Sequence, residues 1–279
     1  MKTKISLMSI MVLLVAICPN TAAQDKTLVE YRYKAGSSYR YKTLSDYEMV
    51  QEMNGKEMKM SAASTTILKM EVTEVSPEGN MSFINTYEEM KVGIKNSMMD
   101  TTMEQKDIVG KRGRVVVNKL GVEIKKEVID TIKMQGMLTG ANSLLTSGLM
   151  RLPGHPVALG EKWVNDQVDT LNIGDGNTVT RSHTEYTMVG SELKNNRECY
   201  KFSFVSRSET AGKMTQQGME IFIEGDGDTM GWVWVDIKEA ILICKESISN
   251  QDMTYAMTGQ MKMSVPSTQK ITLTYSLVE

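Results

Sequence analysis

Imidazole is scarce in this chain: His155 and His183 are its two histidines. His155 lies in Pro153-Gly154-His155-Pro156, a turn composition that puts the ring at a surface. His183 lies in Arg181-Ser182-His183-Thr184-Glu185, an alternating strand whose polar face meets solvent. The densest carboxylates are Glu224, Asp226 and Asp228, interleaved with Gly225 and Gly227. Paired carboxylates can do acid–base work, and hard cations take carboxylate oxygens. The spacing does not match the twelve-residue calcium loop, and the flanking glycines predict a hairpin loop. No Gly-x-Ser-x-Gly elbow, His-Glu-x-x-His pair or phosphate-cradling glycine loop occurs. These residues point to no catalytic group, no cofactor and no metal, and so to a protein that is not an enzyme.

Cys199 and Cys244 both fall in strand-like stretches. In an oxidising compartment such a pair could form a disulfide. As separate thiols they would be small buried hydrophobes. The Cα separation that decides this is not written in the sequence.

Methionine is the compositional oddity. The chain has 24, and Met1, Met8 and Met11 belong to its apolar beginning. Met58 and Met60 alternate, as do Leu68 and Met70; Met257, Met261 and Met263 keep the same parity. A methionine-lined sheet face is an adaptable apolar surface. Closely spaced thioethers would suit Cu(I), but here they are scattered and lack histidine. Core filling is the plainer alternative. Trp232 and Trp234 share one side of a strand and Val233 and Val235 the other, so that strand should be covered on both faces. The candidate lining of an apolar ligand cavity is therefore Met58, Met60, Leu68, Met70, Trp232, Trp234, Met257, Met261 and Met263.

The elements that must carry these residues are strands. Val29, Tyr31 and Tyr33 alternate with charged residues, as do Leu68, Met70 and Val72. Ile271, Leu273, Tyr275 and Leu277 alternate with Thr272, Thr274 and Ser276, the pattern of an antiparallel sheet with one covered face. The pattern occurs in two halves. Gly36-Ser37-Ser38-Tyr39 opens one and Gly160-Glu161-Lys162-Trp163 the other. Each half later reaches a glycine followed by a β-branched strand, Gly113 to Asn118 and Gly231 to Asp236. Residues 24–121 form a first β-rich half and 153–279 a second. Between them, 122–152 carry Ile124, Val128, Ile132, Leu138, Leu144, Leu145 and Leu149 at loose helical spacing, which predicts a short helical connector. Residues 94–109 predict a polar excursion or short helix.

Lys2 and Lys4, the apolar run Ile5 to Ile17 and the small residues Ala22-Ala23 are laid out as a secretory signal peptide over 1–23. Cys18 stands where a lipoprotein carries its lipid, but bulky Ile17 precedes it, which favours plain secretion into the periplasm or beyond. The net charge of the whole chain is −2 with no basic block, which disfavours nucleic acid. No later run is long and apolar enough for a membrane-spanning helix.

The leader, the aromatic strand Tyr31 to Tyr41, Leu152-Pro153 with Val157, Gly160 to Trp163 and the Gly231 strand resemble a group of secreted bacterial envelope proteins with a duplicated β-rich half. More distantly, the pattern is similar to lipoprotein carriers of the LolA and LolB type. That resemblance implies a curved antiparallel sheet or incomplete barrel with helices closing an apolar cavity; it implies no site residues. The expectation is thus a mainly-β protein of two related halves that binds an apolar, lipid-like molecule. The alternative is an envelope interaction or structural module whose apolar faces pack on each other or on a partner protein.

Overall fold

Period-two alternation over stretches of up to 20 residues gives long strands and one covered face. The computed structural model describes residues 25–278 apart from 54, 98, 132–147, 174–175, 217–218 and 259–261. The first half supplies β1 (Ser38–Met53), β2 (Lys56–Val75), β3 (Met81–Asn96), β4 (Asp100–Glu104), β5 (Arg112–Val117) and β6 (Glu123–Val128). The second supplies β7 (Lys162–Ile173), β8 (Gly176–Lys194), β9 (Arg197–Gln216), β10 (Met219–Asp236), β11 (Leu242–Thr258) and β12 (Met263–Val278). All twelve join one antiparallel sheet in the order β6-β5-β3-β2-β1-β12-β11-β10-β9-β8-β7, with β4 also on β3. The halves are therefore one sheet. The first strand pairs with the last, from Arg40 opposite Val278 to Gln51 opposite Ser267.

The mainly-β antiparallel expectation holds; the helices do not. No described residue is helical. Residues 123–128 of the expected connector form β6, whose register on β5 outweighs weak helical spacing. Of the rest, 129–131 and 148–152 are not helical; 132–147 lie outside the described residues, as do the 1–23 leader and Cys18. In 94–109, β3 runs to Asn96 and β4 turns back along it. Asp226 and Asp228 are not in a hairpin loop but within β10, where Gly225 and Gly227 lie among side chains and backbone of the neighbouring strands. The β8–β9 hairpin instead turns at Asn195-Asn196, both with positive φ, as a two-residue turn requires.

One face of the sheet is covered at one end. Tyr41, Met70, Phe83, Val115, Phe202, Val233 and Val235 meet two extended leading segments there, through Val29, Tyr31 and Tyr33 and through Met150, Leu152 and Val157. This is the core face; the other is called outer. The segments are held by backbone hydrogen bonds from Tyr31 to Lys119, Arg32 to Ala240 and Leu152 to Leu120, and by a Thr27–Val157 bridge. Inside, Tyr41 donates to the Leu242 carbonyl at 2.8 Å and the Leu242 N–H donates to Tyr33 at 3.0 Å. The Tyr33 hydroxyl lies 2.9 Å from that of Tyr41.

The outer face carries Arg40, Asp46, Glu48, Arg181, Arg207, Glu209, Asp226, Asp228, Asp252 and Lys270, all exposed. Arg and Lys on a lipid-facing barrel surface cost about 2–4 kcal/mol each at mid-bilayer. A face charged on so many strands meets water.

Candidate functional site

The core face changes chemistry along the strands. Beyond the apolar end comes a belt of small hydroxyl residues. Thr184 and Ser206 are 2.8 Å apart, Thr229 donates to Ser249 at 3.0 Å, and Thr180 and Thr210 are 3.0 Å apart. Such cross-strand pairs satisfy their own polar groups. Farther on the face becomes apolar again. Met257 stands directly opposite Met263, Ile221 opposite Met257 and Met214 opposite Ile221. On β1 and β2, Met49 pairs with Met60 and Gln51 with Met58.

This geometry sorts the expected cavity lining. Met58, Met60, Met257 and Met263 share the far part of the core face, partly open to solvent; Met58 is 46% exposed. The Met257–Met263 pair lies about 13 Å beyond Met58, four residues of strand rise. Leu68 and Met70 are instead buried in packed clusters, Leu68 with Tyr87, Met90, Val92 and Ile108, and Met70 in the main core. They line no cavity, because core side chains occupy the space around them. Met261 lies outside the described residues.

The tryptophans are on the outer face. Val233 and Val235 are fully buried on the other side as expected, and Trp234 is covered too, but Trp232 is 42% exposed. The cover over Trp234 is charged. Its Nε1 donates to Glu192 at 2.6 Å, and the Lys194 ammonium sits 4.0 Å from its ring centroid. Lys194 pairs with Glu246 and Lys201 with Glu192. The Trp234 N–H, aided by Lys201, holds the Glu192 carboxyl below its usual range.

His183 meets Asp166 at 2.7 Å, and His155 lies 3.4 Å from Glu161; both rings are mostly exposed. Neither is joined to a nucleophile. A cleft of about 930 Å³ opens on the outer face between the β1–β2 hairpin and β8–β12. Glu209, Asp226 and Asp252 cross it in one register row with Arg181 at the end. Among the described residues no group of three or more His, Cys, Asp or Glu is arranged to hold a metal ion.

Cys199 and Cys244 are free and buried, which corrects the disulfide alternative. They lie on β9 and β11, on either side of β10. Two strand spacings, about 9–10 Å, exceed the roughly 7 Å that a disulfide spans. Burial pushes both thiols up to about 11, so little thiolate forms near neutrality. A thiol-alkylating reagent at pH about 8 should leave both unlabelled in the folded protein and add one label to each after denaturation without reductant; labelling that needs reductant would show a bond instead.

Sequence reasoning missed Lys245. It stands on the core face opposite Val233 and Tyr275. The preceding Ile241-Leu242-Ile243-Cys244 run is buried on both faces, so alternation cannot be read through it.

No family model matches this chain, and no curated protein matches it. Solved structures with some likeness include OccK2 (OpdF) from Pseudomonas aeruginosa, at 5% identity and TM-score 0.28, covering 88% of this chain and 99% of that one. OpdQ from the same organism has 7% identity and TM-score 0.28, covering 87% and 99%. OccK8 (OprE) has 7% identity and TM-score 0.25, covering 88% and 99%. At these scores the likeness carries no argument. What the fold itself defines is an all-β protein built on one curved, twelve-stranded antiparallel sheet.

Proposed function

We propose that this is a non-catalytic binding protein of the cell envelope that holds an amphiphile on the core face of its sheet. The observation that carries the reading is the half-open methionine end of that face. Met49, Met58 and Met60 project there from β1 and β2, and Met257 and Met263 from β11 and β12 beside Ile221, all outside both packed clusters. Unbranched thioether side chains adapt to irregular apolar chains. The hydroxyl belt beside them leads back along the core face toward the packed end. The leader pattern at 1–23 supports the envelope compartment, and the resemblance to LolA and LolB carriers agrees with an apolar cargo.

Native mass spectrometry of protein purified from the periplasm without detergent tests this, followed by solvent extraction. A stoichiometric lipid-like adduct is expected in the wild type and should be lost from the Met257→Glu, Met263→Glu double variant. A clean unliganded mass, with no uptake of added lipid extract, would overturn it.

A second reading, an interaction module, is favoured by the outer face. Val205, Met230 and Ile248 form one exposed cross-strand row, with Trp232 one step along. Contiguous exposed apolar area of this kind marks contact surfaces. Crosslinking of the envelope through a photoreactive group at Met230 should capture one specific protein if this reading holds and only scattered products if it does not.

A further inference from the structure

Lys245 is the one cation that the core places against an aromatic ring without a carboxylate among the described residues. Its ammonium lies 5.5 Å from the centroid of Phe204. Its strand neighbours on the core face are Val233, fully buried, and Tyr275. Lys194 and Lys201, which lie over Trp234, each hold a glutamate. Lys245 is half-buried; withdrawing an unpaired charge from water is costly, and burial draws its ammonium below the ordinary pKa. The directly opposite Tyr275 adds a second unused group: its ring is stacked on Tyr41, and its buried hydroxyl has no hydrogen-bond partner among the described residues. Two donors with nothing to donate to therefore stand on paired residues. The next core-face positions along β11 are Ser247 and Ser249, where the hydroxyl belt begins.

From this juxtaposition we infer that Lys245 and Tyr275 form an anion-receiving floor on the core face, which takes the carboxylate or phosphate end of an amphiphile. The inference rests on the amphiphile reading and specifies the head: anionic, lying against the ammonium, with the remainder running along the hydroxyl belt toward the methionines. Met253 stands in the register row of Ser267, Gln51 and Met58, eight residues of strand or about 26 Å from Lys245, the order of a lipid head with an extended acyl chain; Met257 stands four residues farther along β11.

Three ligands with one tail separate the possibilities: palmitate, hexadecyl phosphate and hexadecanol, each titrated below its aggregation limit by displacement of a fluorescent apolar probe. Wild-type protein should bind one or both anions at least tenfold more tightly than the alcohol. Preference for palmitate assigns a carboxylate source, and preference for the phosphate a phospholipid-like one. Lys245→Met should bring the preferred anion down to the level of the alcohol without lowering the denaturation midpoint, and Lys245→Arg should keep most of the preference. Tyr275→Phe should reduce it by a few-fold. Equal binding of all three ligands by the wild type overturns the anion floor while leaving the amphiphile reading intact, and so does unchanged anion preference in folded Lys245→Met. Binding of none of the three fails both. Should Lys245→Met not fold, the wild-type comparison of heads decides by itself.

Discussion

Alkaline titration should unfold this protein cooperatively between pH about 10 and 12, far more steeply than its modest net charge implies. Tyr31, Tyr33, Tyr41, Tyr87 and Tyr275 are all buried, and burial raises the pKa of each above the ordinary tyrosine value. Below the unfolded pKa of about 10 both states keep the phenolic proton, and no stability is at stake. Above it the unfolded chain releases protons that the folded chain retains, so stability falls with rising pH. Each tyrosine contributes about 1.4 kcal/mol per pH unit, so five give roughly 7 kcal/mol per unit. Cys199 and Cys244, pushed up to about 11, begin the fall near their ordinary value of 9.0. Lys126 and Lys245, both drawn down by burial, act in the opposite sense, as two groups against seven. A domain stability of about 5–15 kcal/mol is used up within one or two pH units. The far-ultraviolet strand signal and tyrosinate absorbance should change together. A tyrosinate signal that develops gradually while the strand signal persists would show that these hydroxyls are not sealed from water.

Where one periodicity dominated, the fold was legible. The alternation of Ile271, Leu273, Tyr275 and Leu277 placed β12. The matched segments Gly113–Asn118 and Gly231–Asp236 have a physical content. Each strand delivers an Asn or Asp whose side chain accepts the backbone N–H groups of the turn that follows, Asn118 from Leu120 and Val122, and Asp236 from Lys238 and Glu239. Those turns present the carbonyls of Lys119 and Ala240 to consecutive residues of the first leading segment. What misled was local composition in competition with register. Gly-Asp-Gly-Asp reads as a loop, yet β10 is paired throughout on both sides, and the ladder of hydrogen bonds prevails.

The site was legible only in part, because parity along a strand gives the face but not the cover. Met257 and Met263 lie on one face with Met58 and Met60. That Met70 on the same face is sealed while Met58 is half-open depends on two leading segments about 40 and 80 to 90 residues from Met70 in sequence, and no local pattern reports where they dock. Trp232 and Trp234 share a face but differ in cover, since Lys194 and Glu192 from the end of β8 reach only the second. Lys245 was invisible for a related reason: its partners Phe204 and Tyr275 come from β9 and β12.

Gly121→Ala should destabilise the protein strongly, because backbone conformation and space both oppose the added methyl. Gly121 turns between β5 and β6 with φ +78, a left-handed conformation that costs a side-chain-bearing residue about 1–2 kcal/mol. Space adds to this. A Cβ there would run into the Met150 carbonyl, would come within 2.9 Å of the Tyr31 ring and would press on Leu149. Neither obstacle can swing aside: Tyr31 belongs to the first leading segment and Met150 to the second, and both are tied to this turn, by the Tyr31–Lys119 and Leu152–Leu120 bonds. Overpacking of this kind adds about 1–3 kcal/mol, so a total loss of roughly 2–5 kcal/mol is expected. Gly110→Ala is the control. Its φ is +83, but no atom lies within 4 Å of the added methyl, so only the conformational cost of about 1–2 kcal/mol applies. Urea denaturation should place the Gly110 variant between the wild type and the Gly121 variant. Equal midpoints for the two variants would mean that the leading segments do not clamp this turn, and that the core end of the sheet is looser than its buried tyrosines imply.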